Sequence, residues 1–530
     1  MKVRKALIAG VFIGSITANA QAETPDNALV MAYNIDAISS FDPAQIAEAV
    51  TNEIIMNTCD ALVDNKTDDE ATVVPNLAKS WDVSEDGRVI TFHLRDGIVF
   101  PDGTPGTAAD LVWSMQRVVK LGFGNAAALI EYGFTEDSID ERIKALDDKT
   151  ITMQLDKAYP VGLVLAAIGA NRVSSMLNRA VLEENETDGD LGNGYLKDKT
   201  ACVGPYQLAR WNPGESVLLQ ANEIYDGPAP KLSRILIRHV AEPGTQRLLL
   251  ENGEVDVARD LTSQYLTDLE ANDQVEVVRK LNPSLFYMGM NVSKAPFDDP
   301  KVRLAMRHVI DYQGLADTVM KGIGIPRNSY VQLGAFGALS EEDGLPFKQN
   351  LGKAKELLVE AGYPDGFKAS LIIGTQPYSN SIAQSVQEAA SQVGVTLEIE
   401  PMANAQLYAR NRARDFDAAL LAYKAGVPDA HGMSSRFVFN PDNALEAKNT
   451  QYPSWRAAYY DETMNSRVEE ALFEVDPEER MQLYHDLQID MMQEGPMAYI
   501  MQTLGGTGVR KEVKNWTSNG FRVYYDLASK

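Results

Sequence analysis

Short β-branched strands bounded by Asp-Gly turns, alternating with capped amphipathic helices, recur along this chain, and that alternation restricts it to an α/β or α+β layout. The clearest unit is Val89-Ile90-Thr91-Phe92-His93-Leu94, entered by the Asp86-Gly87 turn and left by Asp96-Gly97. Thr107 then stands three residues before Asp110 and ahead of Leu111, Met115, Val118 and Val119 at helical spacing, so a capped helix begins there. Asp298-Asp299-Pro300 repeats this grammar ahead of Val302, Ala305, Met306, Val309 and Ile310. Leu351 to Ala361 reads as another amphipathic helix, stopped by Gly362 and Pro364-Asp365-Gly366. With 530 residues the chain should form several linked cores, and neither a repeat nor a low-complexity linker marks their borders.

The N-terminus sets the compartment. Lys2, Arg4 and Lys5 precede the apolar run Ala6 to Ile16, and Ala18-Asn19-Ala20 and Ala20-Gln21-Ala22 offer overlapping small-x-small cleavage sites. Residues 1–22 read as a cleaved secretory signal, too short for a membrane anchor. Export places Cys59 and Cys202 where thiols oxidise, which allows either one bridge or two buried free thiols, the bridge being slightly favoured.

Chemistry is conspicuous by what the spacing lacks. The histidines at 93, 239, 308, 431 and 485 form no zinc helix, and no nucleophile elbow or phosphate-binding Gly-rich loop occurs. Gly122-Phe123-Gly124 and Gly322-Ile323-Gly324 read as turns, and His93 as a structural strand residue. The acid-rich stretch Asp64 to Glu70 matches no calcium loop and reads as a solvated charge run. A formal charge of -25 repels phosphate backbones, so nucleic acid is not an expected partner. No cofactor, metal site or catalytic residue is expected, and the profile is that of a binding protein.

From Ala78-Lys79-Ser80-Trp81-Asp82-Val83 through Thr91-Phe92-His93-Leu94-Arg95-Asp96-Gly97 and Asp102-Gly103-Thr104-Pro105, the chain resembles the oligopeptide/dipeptide/nickel family of extracytoplasmic solute-binding proteins, family 5. Further matches follow in order at Val203-Gly204-Pro205-Tyr206, Leu250-Glu251-Asn252-Gly253-Glu254-Val255-Asp256, Pro296-Phe297-Asp298-Asp299-Pro300 and Ala361-Gly362-Tyr363-Pro364. The resemblance implies a two-lobed periplasmic-binding-protein clamp of the class II, cluster C type. Lobe I is expected at 23–281, with an extra subdomain at about 62–185. Lobe II follows at 282–507, and residues 508–530 return to lobe I. It further implies a monomeric periplasmic receptor that closes on a small solute and delivers it to the permease of an ABC importer.

By the same resemblance, Gln376, Tyr378, Tyr423, Lys424, Ala425 and Gly426 should line the cleft, with Asp429 or Arg412, Arg414 and Arg436 as further sources of charge. Tyr33, Ser39, Ser40 and Phe41 should contact ligand from the N-terminal side. Gln376 stands where dipeptide-binding relatives carry an Arg for the peptide carboxylate, and Gly426 where they carry an Asp for the ammonium. A buried zwitterion needs charge partners, so these residues argue against a standard free-ended dipeptide and for a peptide-like, opine-like or other organic solute. Tyr423 has a second reading, as a core strand aromatic. The alternative function is a secreted hydrolase with an acidic dyad on a similar body; an interaction role as a chaperone or sensor input ranks third.

Overall fold

The computed structural model of the chain describes residues 24–46 and 48–530, so the expected export segment, 1–22, lies outside the described residues. One eleven-stranded sheet runs through both lobes. In the first lobe Ala28–Tyr33 lies parallel to Arg234–His239 and Val257–Ala258, with Ser216–Ala221 and Tyr206–Asn212 extending one edge. In the second lobe Lys368–Ile373 lies parallel to Thr396–Pro401 and Ala418–Lys424. Buried apolar residues form separate cores in the two lobes, with Leu29, Ile54, Ile235 and Tyr525 in one and Met288, Met306, Leu371 and Ile500 in the other.

Two long antiparallel strands, Val275–Met290 and Met497–Arg510, join the halves. Their ladder breaks register between Leu281 and Leu285, around Asn282-Pro283-Ser284. Pro283 has no N–H to donate, so it sits where the ladder is already open. The break falls between the segment that pairs with Leu504–Arg510 and the one that pairs with Met497–Gln502.

A four-stranded sheet, Ala78–Val83, Val89–Leu94, Thr150–Gln154 and Ile143–Asp147, forms an additional unit with its own core around Phe92, Leu111, Met115 and Ile151. The helix Ala108–Leu121 packs on it and begins where the Thr107 N–H donates to Asp110 Oδ2 at 2.9 Å. The helix Pro300–Val309 begins at Asp299, whose carboxylate accepts the Lys301 N–H at 2.8 Å. Leu351–Glu360 is helical, and Gly362 follows with φ +87. Gly122 is the left-handed cap of its helix, whereas Gly324 opens the short strand Gly324–Pro326 and so is not a turn residue.

Cys59 and Cys202 are disulfide-bonded, their Cα atoms 4.9 Å apart, tying the end of the helix Ala49–Thr58 to the approach to Tyr206–Asn212. The Asp64 to Glu70 stretch corrects the reading of a solvated charge run. Asp64 is buried and ion-paired to both Arg522 and Arg172, and Glu70 is only 7% exposed. Among the described residues no helix is long and apolar enough to cross a membrane.

Candidate functional site

Tyr33 closes the strand Ala28–Tyr33, and Arg259 follows directly on the parallel strand Val257–Ala258, so the sheet delivers both to the same end of the first lobe. The Arg259 guanidinium lies 5.2 Å from the Tyr33 ring centre and 5.8 Å from that of Trp516, close enough for cation–π attraction to both. It is ion-paired with Glu53 and donates from Nη1 to Thr507 Oγ1 at 2.7 Å, while its Nε is buried without a partner. Glu53 comes from the helix Ala49–Thr58 and also accepts the Tyr525 hydroxyl at 2.6 Å. Burial pushes the Tyr33 phenol above its ordinary value; Glu53 adds to that shift and Arg259 opposes it.

Lys424 reaches this group from the second lobe, at the end of Ala418–Lys424. Tyr33, Asn52, Glu53, Arg259, Lys424 and Trp516 line a cavity of about 180 Å³ beside the hinge strands. Desolvation between the lobes lowers the Lys424 pKa, and the Glu53 carboxylate opposes that shift. A cation and an anion held on one wall thus face an amine on the other, an arrangement suited to a polar guest bearing an anionic group.

The other expected cleft residues are placed differently. Tyr423 alternates away from Lys424 and packs edge-on against Phe437, with ring centres 5.1 Å apart, partly buried beside the second-lobe core. Ala425 is buried, whereas the space around Gly426 is open. Asp429 is no free charge: it receives Arg480 at 2.7 and 2.8 Å and caps the helix Ala430–Phe437. Gln376 donates to the Tyr408 hydroxyl at 2.8 Å, and Tyr378 precedes the helix Ser379–Ser391 in a left-handed conformation.

Ser39 bonds Glu48 at 3.0 Å, Ser40 is buried against Leu196, and Phe41 lies in the first-lobe core against Trp211. None of these three lines the 180 Å³ cavity: Ser39 is exposed, and Ser40 and Phe41 are buried in the first-lobe core. Of the arginines, Arg414 stacks over Trp455 at 3.9 Å, Arg436 pairs with Glu131, and Arg412 is exposed.

Glu53, Arg259 and Trp516 escaped the sequence reading. Glu53 left one signal, an acid on the buried stripe with Val50, Ile54 and Asn57. Arg259, three residues beyond the motif ending at Asp256, left none that distinguishes it from a surface arginine. A larger cavity of about 550 Å³ separates the additional unit from the second lobe and is lined mainly by Tyr159, Pro160, Leu163, Phe336, Pro428 and Val475. Its charged pair, Asp429 and Arg480, is mutually satisfied, so the smaller cavity holds the more responsive chemistry.

Comparison with known proteins agrees with this architecture. The profile of the bacterial extracellular solute-binding proteins, family 5 Middle, matches residues 72–444. The chain is 27% identical over 504 residues to the probable D,D-dipeptide-binding periplasmic protein DdpA of Escherichia coli strain K12, covering 94% of this chain and 93% of that one. It is 28% identical over 427 residues to the glutathione-binding protein GsiB of the same strain, covering 79% and 78%. The structure of HbpA2 from Haemophilus parasuis aligns with a TM-score of 0.81 at 22% identity, over 95% of this chain and 99% of that one. The hydrolase alternative gains no support from these relatives. With its profile match spanning most of the sequence, the chain belongs to the bacterial extracellular solute-binding proteins, family 5, which serve transport as binding proteins and are not enzymes.

Proposed function

We propose that the protein is the periplasmic receptor of an ABC importer, exported by cleavage after Ala20 or Ala22, and that it works as a monomer. Its guest is a small peptide-like, opine-like or other organic solute with an anionic group directed at Lys424 and an apolar or planar part beside Tyr33 and Trp516. The observation that supports this reading best is the pairing of walls: Glu53 and Arg259 belong to one lobe and Lys424 to the other, around one cavity. A guest that touches both walls binds the closed arrangement better than the open one, and that difference drives closure.

We place lobe I at 23–281 with 508–530 and lobe II at 282–507. The register break after Leu281 supports the first crossing, and its position opposite Gln502 to Leu504 supports a return crossing nearby on the second strand. The additional sheet and its helices support an extra subdomain within about 62–185. The ligands named for two relatives, a D,D-dipeptide and glutathione, both carry carboxylates and suit the lysine wall.

Native mass spectrometry of freshly purified protein should find a retained small molecule. Thermal stability should rise with D-alanyl-D-alanine, glutathione or that retained molecule as mass action requires, with the compound recovered unchanged. Lys424→Met should weaken an anionic solute roughly tenfold or more. A solute that binds this variant as tightly as the wild type would remove Lys424 from the site, and chemical conversion of the compound would refute the receptor role.

A further inference from the structure

Glu70 has no counterpart to its charge. It sits on the strand Asp69–Pro75, is 7% exposed, joins no ion pair among the described residues, and its Oε1 is buried without a hydrogen-bond partner. The fold leaves room for this carboxyl on two sides. A Cβ at Gly334, from the second lobe, would strike Oε1, and one at Gly520, from the C-terminal segment, would strike Oε2; both glycines have positive φ, +93 and +75. Glu70 lines a cavity of about 280 Å³ that shares Lys280, Leu281, Ser518 and Gly520 with the Lys424 cavity, so the two spaces adjoin across the hinge.

Of the neighbouring cations two are committed, and the third, Lys280, lines both cavities but forms no ion pair with Glu70 or any other described residue. Lys66 pairs with Asp68 at 3.0 Å, and Arg522 is held by Asp64. Burial and then Asp69 raise the carboxyl's pKa to about 8. The segments carrying Gly334 and Gly520 present Gln332, Leu333, Ser518 and Asn519, none of them ionisable. An unsatisfied carboxyl walled by glycines and open to a cavity is costly in a protein without a guest, and a cationic donor entering that cavity would remove the cost.

We propose that Glu70 receives a positively charged nitrogen of the transported solute, so that the solute carries an ammonium or guanidinium group at one end and an anion toward Lys424 at the other. This rests on the receptor reading above and narrows its solute class to molecules with both charges.

The test uses matched probes with and without the nitrogen cation: D-alanyl-D-alanine against propionyl-D-alanine, and glutathione against glutaryl-cysteinylglycine, in which hydrogen replaces the ammonium group. Titration calorimetry on the full mature chain should show the wild type binding a cationic member at least tenfold more tightly than its partner. Glu70→Gln should reduce that ratio below threefold by weakening the cationic member alone, and Glu70→Asp, which keeps the charge but withdraws it, should fall between. Equal affinities within the wild-type pairs, a preference that survives Glu70→Gln, or no binding of either cationic member overturns the assignment. The receptor reading falls separately, if the purified protein also retains no solute and no retained or added compound changes its X-ray scattering.

Discussion

Glu70 makes the unliganded protein sensitive to alkali in a direction opposite to most carboxylates. Its folded pKa of about 8 lies above the ordinary 4.5, so the folded state holds the extra proton across that window and stability falls as pH rises through it. Glu70→Gln should therefore stabilise the unliganded chain at pH 9 by up to about 5 kcal/mol, with the gain vanishing near pH 4. Urea titrations at the two pH values measure this, and equal slopes of stability against pH in variant and wild type would assign the effect elsewhere. A residue that weakens the empty protein and serves the loaded one is a familiar property of binding sites. Nothing in the run from Asp64 to Glu70 distinguishes its members by residue type. Asp64 and Glu70 are interior and Asp68 exposed because the partners that decide this, Arg522 and Gly520, arrive more than four hundred residues later.

Elements whose cause is local were legible: the Thr107 cap, the Asp299-Pro300 start and the Gly362 stop all follow from side chains within four residues of the helix end. The two-lobed fold was legible through family resemblance alone, since no composition break marks the hinge. The cavity was the least legible, because Tyr33, Glu53, Arg259, Lys424 and Trp516 meet only after the sheet assembles, and of the N-terminal residues expected to help them Ser39 is exposed while Ser40 and Phe41 are buried in the core. The helix Ala49–Thr58 links this site to stability. Its end is tied by Cys59 to Cys202 across 143 residues, and constraining a loop of that length in the unfolded chain is worth about 5 kcal/mol at most. Replacing both cysteines with alanine should lower the stability of the first lobe by about 3–5 kcal/mol in denaturant titrations. Solute affinity should stay within about twofold, because Arg259 and Tyr525 hold Glu53 independently of the bridge. A large loss of affinity without loss of stability would show that the bridge positions Glu53 after all.

At the scale of the whole molecule the lobes also touch far from the hinge. Arg436, on the second-lobe helix Ala430–Phe437, pairs with Glu131 of the additional unit at 2.9 Å. Beside it Lys157 lies 4.8 Å from the Phe473 ring centre, and Tyr159 packs on the same ring at 5.4 Å. Any movement that separates the second lobe from the additional unit breaks these contacts, so they favour the closed arrangement. Glu131 keeps 52% of its side chain exposed, so water screens the pair and its contribution is at most about 1 kcal/mol. Arg436→Met should then speed solute release by no more than about fivefold. It should leave association nearly unchanged, because encounter takes place in the open form where the pair does not exist. Stopped-flow measurements separate the two rates. A slowed association with unchanged release would mean that Arg436 steers the solute inward and does not latch the lobes. Doubling the effect by adding Glu131→Gln would deny that the two residues act as one pair, since removing the second partner of a broken ion pair leaves nothing further to lose.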